Sequence, residues 1–369
     1  MKKLIEPDHI NFLIVGCGRI AQRYGKLIGG QKISGGRLLA VCDINDQKAK
    51  ELARVTGTVA YTDMHQMMSE HAAKADVVCI LTESGHHAQH CIELAQYGKH
   101  ILVEKPMALR VEDGLAMIEA CSSNDIMLFV VKQNRFNRAI QLTRNALMAG
   151  RFGDLVMGTV RVRWCRDQAY YKQAQWRGTW RLDGGVFANQ ASHHIDLLQW
   201  MLGNPVSVIA RSRTALADIE AEDTGACIIT FESGAIGIVE ATTATRPKDT
   251  EGSLSILGCR GMVEVGGFAA NEIKTWQFED TDEIDTNVFG IGQELPADVY
   301  GFGHQAYLSD VVQSIRGLGS PIVDGYEGMK SLTLVAAIYE AFETGKEVQV
   351  GSTHHVSRLG NIPEIGIAE

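Results

Sequence analysis

A doubly wound parallel α/β domain, followed by an α+β domain with a large, mostly antiparallel open sheet, is the fold class this sequence predicts. Three observations predict it. The first is the stretch Asn11–Ala21, NFLIVGCGRIA, where a short apolar run meets glycines in a G-x-G-x-x-A pattern. The second is the repeated alternation of apolar runs with helix-period segments as far as Val131, the pattern of parallel strands joined by helical crossovers. The third is the change of grammar from about Lys132, where alternating strands and hairpin turns take over. The predicted domains are therefore residues 1–131 and 132–369 of the 369-residue chain.

Phe12–Val15 reads as a buried strand. Gly16 then permits a tight turn, Gly18 lets backbone approach a pyrophosphate, and Ala21 lets the next helix pack closely. Phosphates would sit on the unpaired N–H groups of the helix that begins near Arg19. The next strand, Arg37–Cys42, ends at Asp43, placed to accept hydrogen bonds from the adenosine ribose hydroxyls of NAD. The plainer alternative is a helix-start turn with a solvated Asp43. Helical spacing follows over Asp46–Thr56, then a short strand at Ala60–Tyr61 and a helix Met64–His71 capped by Asp63. Asp76–Leu81 is a continuous apolar strand whose C-terminal loop, Thr82–Gly85, faces the cofactor. A helix His86–Tyr97 stops at Gly98. The strand His100–Val103 delivers Glu104-Lys105-Pro106, and helix Val111–Ser123 and strand Ile126–Val131 complete the series.

Beyond it, Phe136–Met148 reads as a helix and Leu155–Trp164 as a strand with one wet face. A polar-aromatic loop, Cys165–Asp183, leads into a helix expected to run unbroken over Val186–Leu202. Strands are predicted at Val206–Arg213, Gly225–Phe231, Ala235–Thr242, Gly252–Leu257 and Gly261–Val265, with Ser233-Gly234 turning a hairpin. Helices Gln305–Arg316 and Gly328–Thr344 follow, and the segments before His9 and after Gly351 read as peripheral.

The composition is that of an ordinary globular protein: 45% hydrophobic, 21% charged, formal net charge -9. That charge argues against a nucleic-acid surface or an anionic membrane as partner. No apolar run could span a bilayer and no charged-then-apolar leader opens the chain, so the cytoplasm is the expected compartment. The eight cysteines are scattered without ligand-like spacing and read as reduced, mostly buried small residues.

Two places carry chemistry. Pro106 constrains the residue before it, so Lys105 is held in a fixed direction at a strand's C-terminal end. Its ammonium there can bind a substrate hydroxyl and stabilise the alkoxide that forms as hydride leaves. The alternative is a surface lysine paired with Glu104. In GGVFANQASHHID, Gly184 to Asp196, helical spacing puts Asn189, His193 and Asp196 on one face. His193 suits the task of taking an alcohol proton near neutral pH, unless it is a structural histidine bonded to a carbonyl. No carboxylate or cysteine set complements His193 and His194, so no metal is expected.

GCGRIA, Asp43, the EKP of Glu104–Pro106 and the glycine-led H-x-I-D helix together resemble the Gfo/Idh/MocA oxidoreductase family, over about Asn11 to Val350. The resemblance implies a Rossmann domain followed by an α/β domain whose open sheet commonly mediates oligomers, hence a homo-oligomer, dimer or tetramer. It implies Lys105 and His193 as the catalytic pair. It implies cofactor contacts from Gly16, Gly18, Arg19, Ile20, Asp43, Thr82, Ser84, His87, Glu104 and Lys105, and from Gln133, Trp176 and Arg177. Substrate contacts fall to Lys105, Arg166, Tyr171, Asn189 and His193. Many members carry Asp where this chain has Asn189, and a neutral amide cannot raise the basicity of His193 as a carboxylate would. Lys105 and His193 are then left to share the proton transfer.

The stretches VVKQNR, YYKQAQWRGTW, NQASHHIDLLQW and YGFGH (from Val130, Tyr170, Asn189 and Tyr300) look most like one subgroup. These are the bacterial UDP-N-acetyl-2-amino-2-deoxyglucuronate (UDP-GlcNAcA) dehydrogenases, which oxidise the sugar C3 hydroxyl for O-antigen biosynthesis. The loop chemistry agrees. Arg161, Arg163, Arg166, Arg177 and Arg181, with Trp164, Trp176, Trp180 and the Tyr170-Tyr171 pair, suit a pyrophosphate, a carboxylate and a stacked uracil. Arginines paired to acids at a subunit interface are the alternative. The reading is an NAD-dependent sugar dehydrogenase acting on a UDP-sugar, with a free-sugar dehydrogenase or a non-catalytic NAD-binding regulator as rivals.

Overall fold

The computed structural model describes residues 9–294, 301–351 and 356–361. Residues 1–8 of the lead-in, and Tyr300 of YGFGH, lie outside the described residues. The chain forms two compact units. The first takes residues up to Ala108, Glu112–Val131 and Gln305–Met329; the second takes Leu109–Val111, Lys132–His304 and residues from Lys330 on.

The first unit holds six parallel strands: β1 (Ile10–Val15), β2 (Gly36–Cys42), β3 (Val59–Tyr61), β4 (Val77–Ile80), β5 (His100–Val103) and β6 (Leu128–Val130). Their order is β3-β2-β1-β4-β5-β6, the doubly wound arrangement, with the switch point between β1 and β4. Leu13, Ile14, Val78, Cys79, Ile101, Leu102 and Phe129 are fully buried, because helices cover both faces of such a sheet. The helix expected from His86 opens with a tight turn at Ser84–His86 and runs His87–Ala95. Residues beyond the 1–131 boundary also join this unit: Val130 N–H donates to Val323 O at 3.3 Å.

The second unit holds an eight-stranded sheet of β7 (Leu155–Arg163), β8 (Pro205–Arg213), β9 (Thr224–Phe231), β10 (Ile236–Thr242), β11 (Glu251–Gly258), β12 (Gly261–Gly266), β13 (Glu272–Phe278) and β14 (Val348–Gln349). The order is β13-β12-β11-β7-β10-β9-β8-β14, antiparallel throughout except for the parallel pair β7/β10. One face packs on the helix Ser192–Leu202, and the approach is close: a Cβ at Gly158 would stand 2.7 Å from Leu198 and 2.9 Å from Leu202. Val160, Val162, Ile229, Val239, Leu254 and Ile256 meet Ile195 and Leu198 in that layer. The other face carries apolar side chains in register, Ile209 opposite Ile228 opposite Ile238, and Ile236 opposite Met157 opposite Leu257.

Three sequence expectations change. β13 and β14 were not foreseen. The aromatic loop contains a helical turn, Gln168–Tyr171, capped by Asp167. The helix expected over Val186–Leu202 is two pieces: a widened turn, Val186–Gln190, closed by Ala191 N–H to Val186 O at 2.7 Å, and a regular helix from Ser192. Asn189 and His193 therefore do not share the face of one continuous helix. His193 and Asp196 do.

Candidate functional site

The candidate residues divide between the units. In the first, Gly16 sits at φ +94°, and a Cβ there would lie 2.7 Å from the Leu81 carbonyl carbon and 2.8 Å from Thr82 N. Only glycine fits a turn pressed so closely on the end of β4. A Cβ at Gly18 would meet nothing within 4 Å, so that side of the turn is open for a ligand. The helix behind it starts at Arg19 and carries no N-terminal side-chain cap, the kind of helix end at which phosphates bind. Arg19 is exposed, Ile20 is half-buried and Ala21 is buried.

Asp43 directly follows β2. Its carboxylate accepts Cys17 N–H at 2.7 Å and Asn45 N–H at 2.8 Å, so it braces the glycine turn from β2. Each oxygen keeps a lone pair for a ribose hydroxyl. A 2′-phosphate would bring negative charge against that carboxylate, so kcat/KM with NAD should exceed that with NADP by at least about tenfold. Asp43→Ser should narrow the gap; equal efficiency in the wild type would contradict this role.

Lys105 is set from both sides. On one, Glu104 accepts the Lys105 N–H at 3.0 Å and the Tyr24 hydroxyl at 3.1 Å. On the other, His87 is fully buried, with Nδ1 2.7 Å from Pro106 O and Nε2 3.0 Å from Thr82 O. Both ring nitrogens of His87 lie within hydrogen-bond distance of a carbonyl oxygen; the neutral ring donates to one of the two, and His87 stands between the two loops. Burial pushes the His87 pKa down, against the pull of these carbonyls and of Glu104 and Glu83. Thr82 meets His90 through its hydroxyl at 3.0 Å, and Ser84 is buried.

In the second unit, His193 is the second residue of the regular helix, and its Nε2 lies 2.9 Å from Gln133 Nε2. Gln133, expected at the cofactor, is thereby brought to the imidazole. The segment that carries it is bolted to the His193 helix by buried ions. Arg135 donates two hydrogen bonds to Asp196, at 2.7 and 2.8 Å, and Lys132 Nζ lies 3.6 Å from Asp196 and 2.6 Å from Ser331 Oγ. Burial disfavours the Asp196 charge, but Arg135 and Lys132 outweigh it and hold the carboxyl below its ordinary pKa. Asn189 donates its amide to Asp183.

Glu222 closes the widened turn from behind, accepting Phe187 N–H at 3.0 Å and the Tyr339 hydroxyl at 2.8 Å. Burial pushes its pKa up to about 7. A raised carboxyl pKa favours the folded state while the group is protonated. This contribution is complete below the unfolded value and is lost as pH rises through about 7. Glu222→Gln should therefore gain stability relative to wild type between pH 5 and 8, by up to about 3 kcal/mol. A parallel pH dependence of the two melting temperatures would contradict it.

The arginines sort into two sets. Arg163 binds Glu240 at 2.6 Å and Glu251 at 3.2 Å, and Arg161 lies 3.6 Å from Glu251, all on the wet face of the sheet. Arg166 lies over Trp164 and Tyr170 and binds Asp249 at 2.8 Å; Arg177 lies over Tyr170 and Trp176 and bonds the Tyr170 hydroxyl. The Tyr171 hydroxyl turns to Thr243 at 3.0 Å. Trp164 and Trp180 belong to the hydrophobic core, which leaves Trp176 as the half-buried indole of the three.

Residues 10–132 match the family described as "Oxidoreductase family, NAD-binding Rossmann fold", and residues 144–350 its "C-terminal alpha/beta domain". The WlbA dehydrogenase from Bordetella pertussis, crystallised with NADH and UDP-GlcNAcA, superposes with a TM-score of 0.90 at 41% identity. The match covers 94% of this chain and 99% of that one. The WlbA dehydrogenase from Chromobacterium violaceum, with the same two ligands, gives 0.87 at 41% identity, over 94% and 97%. The myo-inositol 2-dehydrogenase of Thermotoga maritima is 24% identical, over 91% of this chain and 97% of its own.

Proposed function

Because the chain belongs to the Gfo/Idh/MocA family of NAD-dependent oxidoreductases, we propose that it oxidises the C3 hydroxyl of a UDP-N-acetylaminoglucuronate-type nucleotide sugar. The observation that carries the reading is the arginine–aromatic layer of Arg166, Tyr170, Trp176 and Arg177 in a protein of net charge -9. Two chains of 41% identity that hold UDP-GlcNAcA support it.

Gly16, Gly18 and Asp43 would hold NAD, with Arg19, Ile20, Thr82 and Ser84 around it. NAD, when bound, supplies the hydride acceptor. His193 takes the proton of the C3 hydroxyl. Lys105 binds that oxygen and stabilises its negative charge as it develops. Arg166 and Arg177, with Trp176 and Tyr171, hold the pyrophosphate, carboxylate and uracil. The apolar rows around Ile228 on the open sheet form the contact of a homo-oligomer, dimer or tetramer.

A free-sugar or inositol dehydrogenase is the rival, favoured by curated relatives such as the Thermotoga enzyme. Calorimetric titration with NADH present separates them. UDP-GlcNAcA should bind, and Arg166→Ala should raise its dissociation constant roughly tenfold or more, since a charge-assisted partner is lost. The effect should shrink for UDP-N-acetylglucosamine if Arg166 reads the carboxylate. No heat of binding with any UDP-sugar would refute the reading.

A further inference from the structure

We propose that Arg358, Leu359 and Gly360 are positioning residues of the substrate site: docked as a clasp on Trp180 and Gly184, they hold the aromatic loop against the turn that carries Asn189. The inference rests on the sugar-nucleotide reading for the identity of the substrate.

The segment after Gly351 reads as peripheral in the sequence, yet Leu359 is 2% exposed and belongs to the hydrophobic core with Trp180, Ala188 and Tyr339. The residues on either side of it dock on one short stretch of chain. Gly360 N–H donates to Trp180 O at 2.8 Å, and the Arg358 guanidinium lies 4.1 Å over the Trp180 ring. Arg358 is anchored in turn by Glu343, whose carboxylate accepts its backbone N–H at 3.2 Å and lies 3.6 Å from its Nε. Between them Leu359 reaches Gly184, where a Cβ would stand 2.7 Å from Leu359 Cδ1, 2.8 Å from Ala188 Cβ and 3.0 Å from the Tyr339 hydroxyl. Leu359 thus walls in the point at which the aromatic loop passes into the widened turn. Gly360 sits at φ +75°, and a Cβ on it would lie 2.7 Å from Arg110 Cγ and 3.0 Å from Leu109 Cβ, so only glycine docks so closely.

What the clasp fixes is passed on by hydrogen bonds. The N–H groups of Asp183 and Gly184 both donate to Thr179 O, at 3.2 and 2.8 Å. The Asp183 carboxylate accepts Gly178 N–H at 2.8 Å and also the Asn189 amide. Gly178 directly follows Arg177, and Ala188 directly precedes Asn189. A shift at Trp180–Gly184 therefore moves both the Trp176-Arg177 turn and the turn ahead of His193. Misplacing a substrate-positioning group by about 1 Å can cost about a hundredfold in rate. The clasp itself is a short turn outside the helices and strands, closed by Asn361 N–H on Arg358 O at 3.1 Å. Such a segment opens locally at far lower cost than the sheet, so it can be loosened while the fold stays intact.

The test has two arms, both on the full chain. In the first, hydrogen exchange is followed by mass spectrometry in the wild type, Leu359→Ala and Gly360→Ala. Both variants should speed exchange over residues 178–191 by at least about tenfold, while the helix Ser192–Leu202 and β9 stay within about twofold. In the second, kcat/KM for UDP-GlcNAcA should fall at least about tenfold, mainly through the Michaelis constant, with that for NAD within about twofold of wild type. Leu359→Met keeps the volume of the side chain and should recover most of both losses. Gly360→Ala leaves the core side chain in place, so it decides the matter if Leu359→Ala does not fold. If the wild type turns over no sugar nucleotide, the functional reading fails, and the exchange arm alone decides whether the clasp holds the loop. Exchange that is unchanged over 178–191, or that rises equally in β9, would overturn the proposal. So would wild-type kinetics in a variant whose loop exchanges faster.

Discussion

Replacing Lys105 by alanine should lower turnover by about a hundredfold or more, and His193→Ala should do the same. The size follows from what each group does. An ammonium facing a developing alkoxide acts only as charge forms, so its loss raises the barrier without weakening substrate binding in proportion. Lys105 suits that task because its direction is imposed from two sides, by Glu104 on Tyr24 and by His87 on Pro106. Binding of NAD should stay near wild type in both variants, since Gly16, Gly18 and Asp43 are untouched. Rapid kinetics with cofactor titration separates the two effects. If His193→Ala kept normal turnover across pH, His193 would be a structural histidine and Lys105 the base.

Asp196→Asn should be the most destabilising single change, costing about 3–5 kcal/mol in urea unfolding. Asp196 is bonded to Arg135 and lies close to Lys132, and all three side chains are almost wholly buried. The substitution keeps the shape but removes the negative charge that faces two buried cations, in surroundings where water cannot replace it. Because the folded-state pKa of Asp196 is lowered, its contribution is present above the unfolded pKa and is lost as pH falls through the folded one. It is fully present at pH 7. The comparison is Arg161→Ala on the wet face, whose side chain is 44% exposed and which should change stability by less than about 1 kcal/mol. Equal losses in the two variants would mean that the buried cluster holds nothing. The cluster also carries Gln133 to His193, so Asp196→Asn should lose activity before it unfolds.

How much of this was legible depended on how far each residue's partners lie along the chain. The cofactor turn is local: strand, glycines, helix and Asp43 fall within one β-α-β unit, and the structure places them as the sequence predicts. β13 was missed for a physical reason. Its buried residues, Ile273 and Trp276, are three apart, because a register shift against β12 breaks the two-residue period. The interruption before Ser192 had no local signal either. The widened turn is held by Glu222 and Tyr339, both remote in sequence, and no proline marks it. The arginine density around 161–181 was visible, but which arginines are already answered depends on Glu240 and Glu251 on later strands and on Asp249 in the loop between them. Gln133 was singled out from its resemblance to the family, and its contact with His193 comes from the fold alone.

The central claim is the substrate, and turnover measures it most directly. The purified protein with NAD should be offered UDP-GlcNAcA, UDP-N-acetylglucosamine, free glucose and myo-inositol, with reduced nicotinamide followed by absorbance. UDP-GlcNAcA should give the highest kcat/KM. Its margin over UDP-N-acetylglucosamine, which has a hydroxymethyl in place of the carboxylate, should be at least about tenfold, the value of one charge-assisted contact. Faster oxidation of glucose or inositol than of any UDP-sugar would contradict the account and leave Arg166 and Arg177 to an interface.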